Sequence, residues 1–74
     1  MIDQDKIREI LAQAGLDVAP TAEDFDKPFN DIGLDSLDVF NFLSEIEVVL
    51  DKSISDLEFE SLNTLNEIIR FLNK

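Results

Sequence analysis

The run DIGLDSLDVF, residues 31–40, sets Ser36 between Asp35 and Asp38 where a glycine-containing stretch gives way to helical periodicity. A serine becomes a nucleophile only when a nearby base takes its proton, and the chain contains neither His nor Cys. A Ser–Lys dyad would need one of the few lysines to be desolvated. Asp35 and Asp38 have the chemistry for acid–base work, but carboxylates at a helix start ordinarily cap it and stay solvated. Calcium is excluded as well: the oxygen ligands alternate in DIGLDSLD, but the glycine at loop position 6 and the spacing of a calcium hand are missing. Without His or Cys there is no ordinary zinc site, so no metal is expected. Ser36 is therefore read as a substrate. In the first turn of a helix, unsatisfied backbone N–H groups and the helix dipole favour an attached anion such as a phosphate ester.

The elements that must hold this serine can be traced along the chain. Ile7, Ile10, Leu11 and Ala14 recur at helical spacing and predict a first helix over about 3–14, with Asp3 as N-cap and Gly15 as its stop. Residues 15–35 hold both glycines and both prolines. A loop of that length in a small domain is expected to be ordered or functional, and Leu16, Val18, Phe25, Phe29, Ile32 and Leu34 suit packing onto helices. A second helix is predicted over 36–51, with Asp35 as N-cap and Asp38 in its first turn. SDLE at 55–58 and TLNE at 64–67 read as capping boxes opening a short third and a longer fourth helix. Leu65, Ile68, Ile69 and Leu72 form the apolar stripe of the last one. The expected fold is all-α: a small antiparallel four-helix bundle, three main helices and one short, with a long ordered loop between the first two. Residues 1–74 are read as a single domain.

The second helix carries two faces. Val39, Phe42, Leu43, Ile46 and Leu50 gather on one side as a core stripe. Leu37 and Val48 project almost opposite, Phe40 falls elsewhere, and Asn41, Ser44, Glu45 and Glu47 are interleaved with them. An apolar row edged by carboxylates suits a partner groove that is greasy inside and basic at its rim.

Charge points the same way. The 74 residues carry a formal −11, and residues 23–60 hold 12 acids against 2 lysines. Such a chain repels nucleic acid and has no basic stripe to bind it. It suits encounters with basic protein surfaces. The N-terminus MIDQDKIREI lacks the pattern of a signal peptide, and VFNFLSEIEVVL is too short and too acidic to span a bilayer, so a cytoplasmic protein with no membrane partner is expected. No heptad seam invites self-association, which makes monomer the default.

GLDSLDV, residues 33–39, resembles the phosphopantetheine attachment motif of acyl carrier proteins. The resemblance covers most of the chain: its length, the helix–long loop–helix order, the acidic middle, and the block PFNDIGLDSLDVFNFLSEIE. It implies a non-catalytic carrier in which Ser36 bears 4′-phosphopantetheine through a phosphodiester and Asp35 helps position the transferase and its metal. Leu37, Asp38, Phe40, Asn41, Ser44, Glu47 and Val48 would then form the face read by a phosphopantetheinyl transferase and by acyl-loading and acyl-processing enzymes with basic docking surfaces. Ile46, Leu50, Ile54, Leu62 and Ile68 would be candidates for an acyl pocket. The lack of Cys fits, since the thiol arrives on the arm.

Carriers of primary fatty acid synthesis usually have Glu in place of Asn41, Met in place of Ser44 and acids in place of Val48 and Val49. The resemblance therefore implies a specialised stand-alone carrier for polyketide, modified-lipid or other secondary pathways. Two alternatives stay open: an aminoacyl or peptidyl carrier, and an unmodified acidic helical interaction module. The first usually has Gly-Gly or Gly-His before the serine, where this chain has Leu34-Asp35.

Overall fold

The computed structural model describes residues 1–74 as four α-helices: α1 (Gln4–Gln13), α2 (Ser36–Leu50), α3 (Asp56–Ser61) and α4 (Leu65–Leu72). There are no strands. The helix starts follow local chemistry. The Asp3 carboxylate accepts from the Lys6 N–H at 2.9 Å. Ser55 and Glu58 complete a full capping box. The expected box at 64–67 forms only in half: Thr64 Oγ1 accepts from Glu67 N–H, but the Glu67 carboxylate reaches back to the N–H of Asn63 instead of Thr64.

The end of α1 is equally local. Gly15 takes φ +79°, the left-handed region open to glycine, and the N–H groups of Gly15 and Leu16 return to the carbonyls of Ala12 and Leu11. α2 stops differently, on Asp51 at φ +53°, a conformation that costs a residue with a Cβ.

The 20-odd residues between α1 and α2 are ordered, with two 3-10 turns, Glu23–Asp26 and Phe29–Ile32, that helical periodicity does not reveal. Phe25 anchors the first turn and is fully buried. The Arg8 guanidinium lies 5.0 Å from the centre of its ring while Arg8 Nε donates to the Pro20 carbonyl at 2.8 Å. Asn66 on α4 donates to Asp26 at 2.6 Å, joining the loop to the last helix.

The core is wholly apolar and draws on every long segment: Ile7, Ile10 and Leu11; Phe25 and Leu34; Val39, Phe42, Leu43 and Ile46; Leu62; and Leu65, Ile68 and Leu72. Ile69, assigned to the α4 stripe from its spacing, is only half-buried. α3 buries none of its side chains completely, so it is the least anchored of the four helices.

Candidate functional site

Ser36 is the first residue of α2, and the chain is delivered to it by a tight sequence of local devices. The 3-10 turn at Phe29–Ile32 ends on Gly33 at φ +88°, where the N–H groups of Gly33 and Leu34 both point to the Phe29 carbonyl. Leu34 then sinks into the core, 2% exposed, and fixes the height at which α2 begins. Asp35 caps the helix through Oδ1, which accepts from Asp38 N–H at 2.9 Å, and Asp38 Oδ2 accepts from Asp35 N–H at 3.3 Å. This reciprocal box uses one oxygen of each carboxylate, more than the cap and first-turn acid that the spacing alone suggested.

Between these two capping residues, the Ser36 side chain is exposed and makes no hydrogen bond. The N–H groups of Ser36 and Leu37 belong to the first turn and have no intrahelical acceptor. The hydroxyl thus stands at the positive end of a fifteen-residue helix dipole, accessible from solvent.

Ser36 also lies on the lip of a groove of about 520 Å³ whose apolar lining is Phe29, Leu34, Val39, Phe59 and Leu62. Asp35 shares its rim. A smaller recess of about 110 Å³ opens between α2 and α3, with Leu43 and Ile54 in its wall.

The face expected to meet partners is presented to solvent at its apolar positions: Leu37 is 67% exposed, Phe40 58% and Val48 78%. Asn41 is exposed beside them, while Asp38 and Ser44 are half-covered. Glu47 has a second engagement, since its Oε2 accepts from the Ile54 N–H at 2.9 Å and ties the loop before α3 to α2. Leu57 on α3 is 80% exposed, an apolar residue that the pattern along the second helix could not flag.

The five residues grouped for an acyl pocket are not brought together around one cavity. Ile46 and Ile68 are sealed in the core at 0% exposure, Leu50 is half-buried, Ile54 lines the small recess, and Leu62 alone lines the groove at Ser36. The physical reason is depth: Ile46 and Ile68 face the packed centre, whereas the open space lies where α3 is shallowly seated. Phe29 and Phe59 also line the groove at Ser36. Phe29 carried a sign of packing as an apolar loop residue, but the position of α3 over α2 has no local signal.

Two carboxylates in the molecule titrate below their ordinary range. Asp24 is held down by the Thr21 backbone N–H and then by Lys27, and Glu58 by the Ser55 backbone N–H and hydroxyl. Both act in capping and turn structure, away from Ser36. No side chain of the site accepts a hydrogen bond from the Ser36 hydroxyl.

No helix is long and apolar enough to cross a membrane. Comparison with solved structures returned no match. The family profile described as the phosphopantetheine attachment site matches residues 5–72, from the first turn of α1 to the last residue of α4. That family uses 4′-phosphopantetheine as its prosthetic group, and its domains are generally non-catalytic carriers that meet phosphopantetheinyl transferases and acyl-processing enzymes. A capped, exposed serine on a helical bundle is compatible with that chemistry, and with the match spanning nearly all of the chain, this protein belongs to the phosphopantetheine attachment family and is a carrier of the acyl carrier type.

Proposed function

We propose that Ser36 is the attachment point of the arm and that the chain presents acyl thioesters from it to a succession of enzymes in a specialised fatty acid, polyketide or secondary-metabolite pathway. The observation that carries this reading is the placement of the Ser36 hydroxyl, exposed and unengaged at the start of α2 on the lip of an apolar groove. Loading forms a bond from Ser36 Oγ to phosphorus and breaks the bond from that phosphorus to the adenosine bisphosphate half of coenzyme A. The hydroxyl proton leaves to a base of the transferase. The bound arm supplies the thiol on which cargo travels. The protein's own part is to hold Ser36 Oγ clear of competing hydrogen bonds, to offer the Ser36 and Leu37 N–H groups to the phosphodiester, and to keep Asp35 fixed through the reciprocal cap.

Leu37, Asp38, Phe40, Asn41, Ser44, Glu47 and Val48 form the docking face in this proposal, with apolar side chains at its centre and carboxylates around them. The specialised pathway is favoured by Asn41 and Val48, which stand where primary fatty acid carriers have acids, and by Ser44, which stands where they have Met. The chain acts as a cytoplasmic monomer and as one domain over residues 1–74.

Intact-mass spectrometry after incubation with coenzyme A, magnesium and a broad-specificity transferase tests the attachment. One phosphopantetheinyl gain in the wild type, absent in Ser36→Ala, is expected. Because Ser36 is exposed and unbonded, the alanine variant keeps its fold, with stability within about 0.5 kcal/mol. A gain that persists in folded Ser36→Ala, or none in the wild type with several transferases, overturns the assignment. The pathway is tested in a host whose main fatty acid carrier can be depleted: equal support of growth by this chain would refute a specialised role.

A further inference from the structure

The groove at Ser36 and the recess between α2 and α3 share one wall residue, Phe59. Its ring packs against Phe40, one helical turn beyond Ser36, with centroids 6.4 Å apart and planes tilted by 52°. Leu34, Val39 and Leu62 lie on the Ser36 side of this ring pair, and Leu43 and Ile54 on the far side. An apolar chain tethered at Ser36 and running along α2 meets the Phe59 ring before it reaches Leu43 or Ile54.

The ring is held in that place from two directions. Phe40 backs it, and the Glu47–Ile54 hydrogen bond anchors the entry to α3, the helix on which Phe59 sits. The space available on the two sides differs accordingly, about 520 Å³ against about 110 Å³.

We propose that Phe59 is the partition that sets where cargo sits in this protein: it confines an acyl group to the open groove beside Ser36 and shuts the α2–α3 recess against it. This rests on Ser36 being the attachment point. Cargo in the wild type is then seated shallowly, in a groove open to solvent, which suits a carrier whose intermediates must be handed on rapidly or are too bulky or polar for an enclosed site. Removing the ring joins the two spaces and lets a straight apolar chain extend toward Leu43 and Ile54, where each methylene withdrawn from water favours the seated state by about four-fold.

The test uses the full chain loaded from octanoyl-coenzyme A by a transferase, beside the same chain loaded from coenzyme A, with intact mass recorded for each. Methyl NMR then compares octanoyl with bare arm in the wild type, Phe59→Ala and Phe59→Leu. In the wild type, octanoyl-induced shifts are expected at Leu34, Val39 and Leu62 but not at Leu43 or Ile54. In Phe59→Ala they are expected to extend to Leu43 and Ile54, several-fold above the wild-type values. Phe59→Leu preserves much of the packing and stands in if the alanine variant does not fold; it is expected to show the same two residues responding more weakly. Shifts at Leu43 and Ile54 in the wild type, or none there in the folded variants, overturn the partition. Absence of any mass gain would instead overturn the attachment on which it rests, so the two failures are distinct.

Discussion

Truncating Leu37 tests the proposed docking face without touching the core. Leu37 is 67% exposed, immediately follows Ser36, and contributes nothing to the buried cluster. Leu37→Ala should therefore leave stability within about 0.5 kcal/mol of wild type. A partner that covers the side chain removes that exposed two-thirds from water. Full burial of a leucine stabilises by about 1.5–3 kcal/mol, so the share still to be gained on docking is roughly 1–2 kcal/mol. At 1.36 kcal/mol per decade, that converts to a loss of about five- to thirty-fold in affinity. The assay is steady-state transfer of phosphopantetheine from coenzyme A, with KM for the carrier and kcat measured separately, and a thermal melt of the same samples. KM should rise by that factor with little change in kcat, because Leu37 is not a reacting group. Val48→Ala, 78% exposed and about three turns further along α2, gives an independent reading with acyl-processing enzymes. An unchanged KM for Leu37→Ala, together with an unchanged dissociation constant for each processing enzyme tried, would refute the docking face. A fall in melting temperature as large as that from a core truncation would refute the packing argument.

Three further outcomes follow from the same structure. Phe42→Ala, at a fully buried position on α2, should cost about 3–5 kcal/mol; since a domain of this size holds roughly 3–5 kcal/mol in total, far-UV circular dichroism should show it largely unfolded at 25 °C, and a cooperative wild-type-like melt would contradict the core assignment. In an NMR titration, Asp24 and Glu58 should titrate below ordinary carboxylates, and Lys27→Ala should raise Asp24 only part of the way, because the Thr21 backbone N–H is the larger cause and survives the substitution. For both groups the folded value lies below the unfolded one, so their stabilising contribution is present above the unfolded midpoint and lost as pH falls through the folded one; Asp24 moving fully to the ordinary value in Lys27→Ala would show that the backbone bond is not the main cause. Finally, 17 carboxylates face only 6 basic residues and form just three ion pairs, all i,i+3 contacts with at least one solvent-exposed partner, so melting temperature should climb as salt is added, and a flat series would show that self-repulsion is minor.

What the order of residues determines here is mostly short-range. Asp3, Asp35, Ser55 and Thr64 each receive an N–H three residues later because the hydrogen bond closes within one turn, whatever the rest of the chain does. The stripes Ile7, Ile10, Leu11 and Val39, Phe42, Leu43, Ile46 are equally visible, since helical spacing puts them on one side before any partner is chosen. The serine at the start of α2 and the apolar residues left over on its outer face belong to the same local level. Tertiary structure alone decided the rest. It spent one Glu47 oxygen on Ile54, and left Ile69 half-covered while sealing Ile46 and Ile68. It also placed Phe59 of α3 against Phe40 of α2, nineteen positions apart, so that the Phe59 ring lines both cavities. Cavities lie where elements of different segments fail to close on one another, and that gap is set by how the loop and the shallow third helix settle on the core, a long-range outcome that no local spacing encodes.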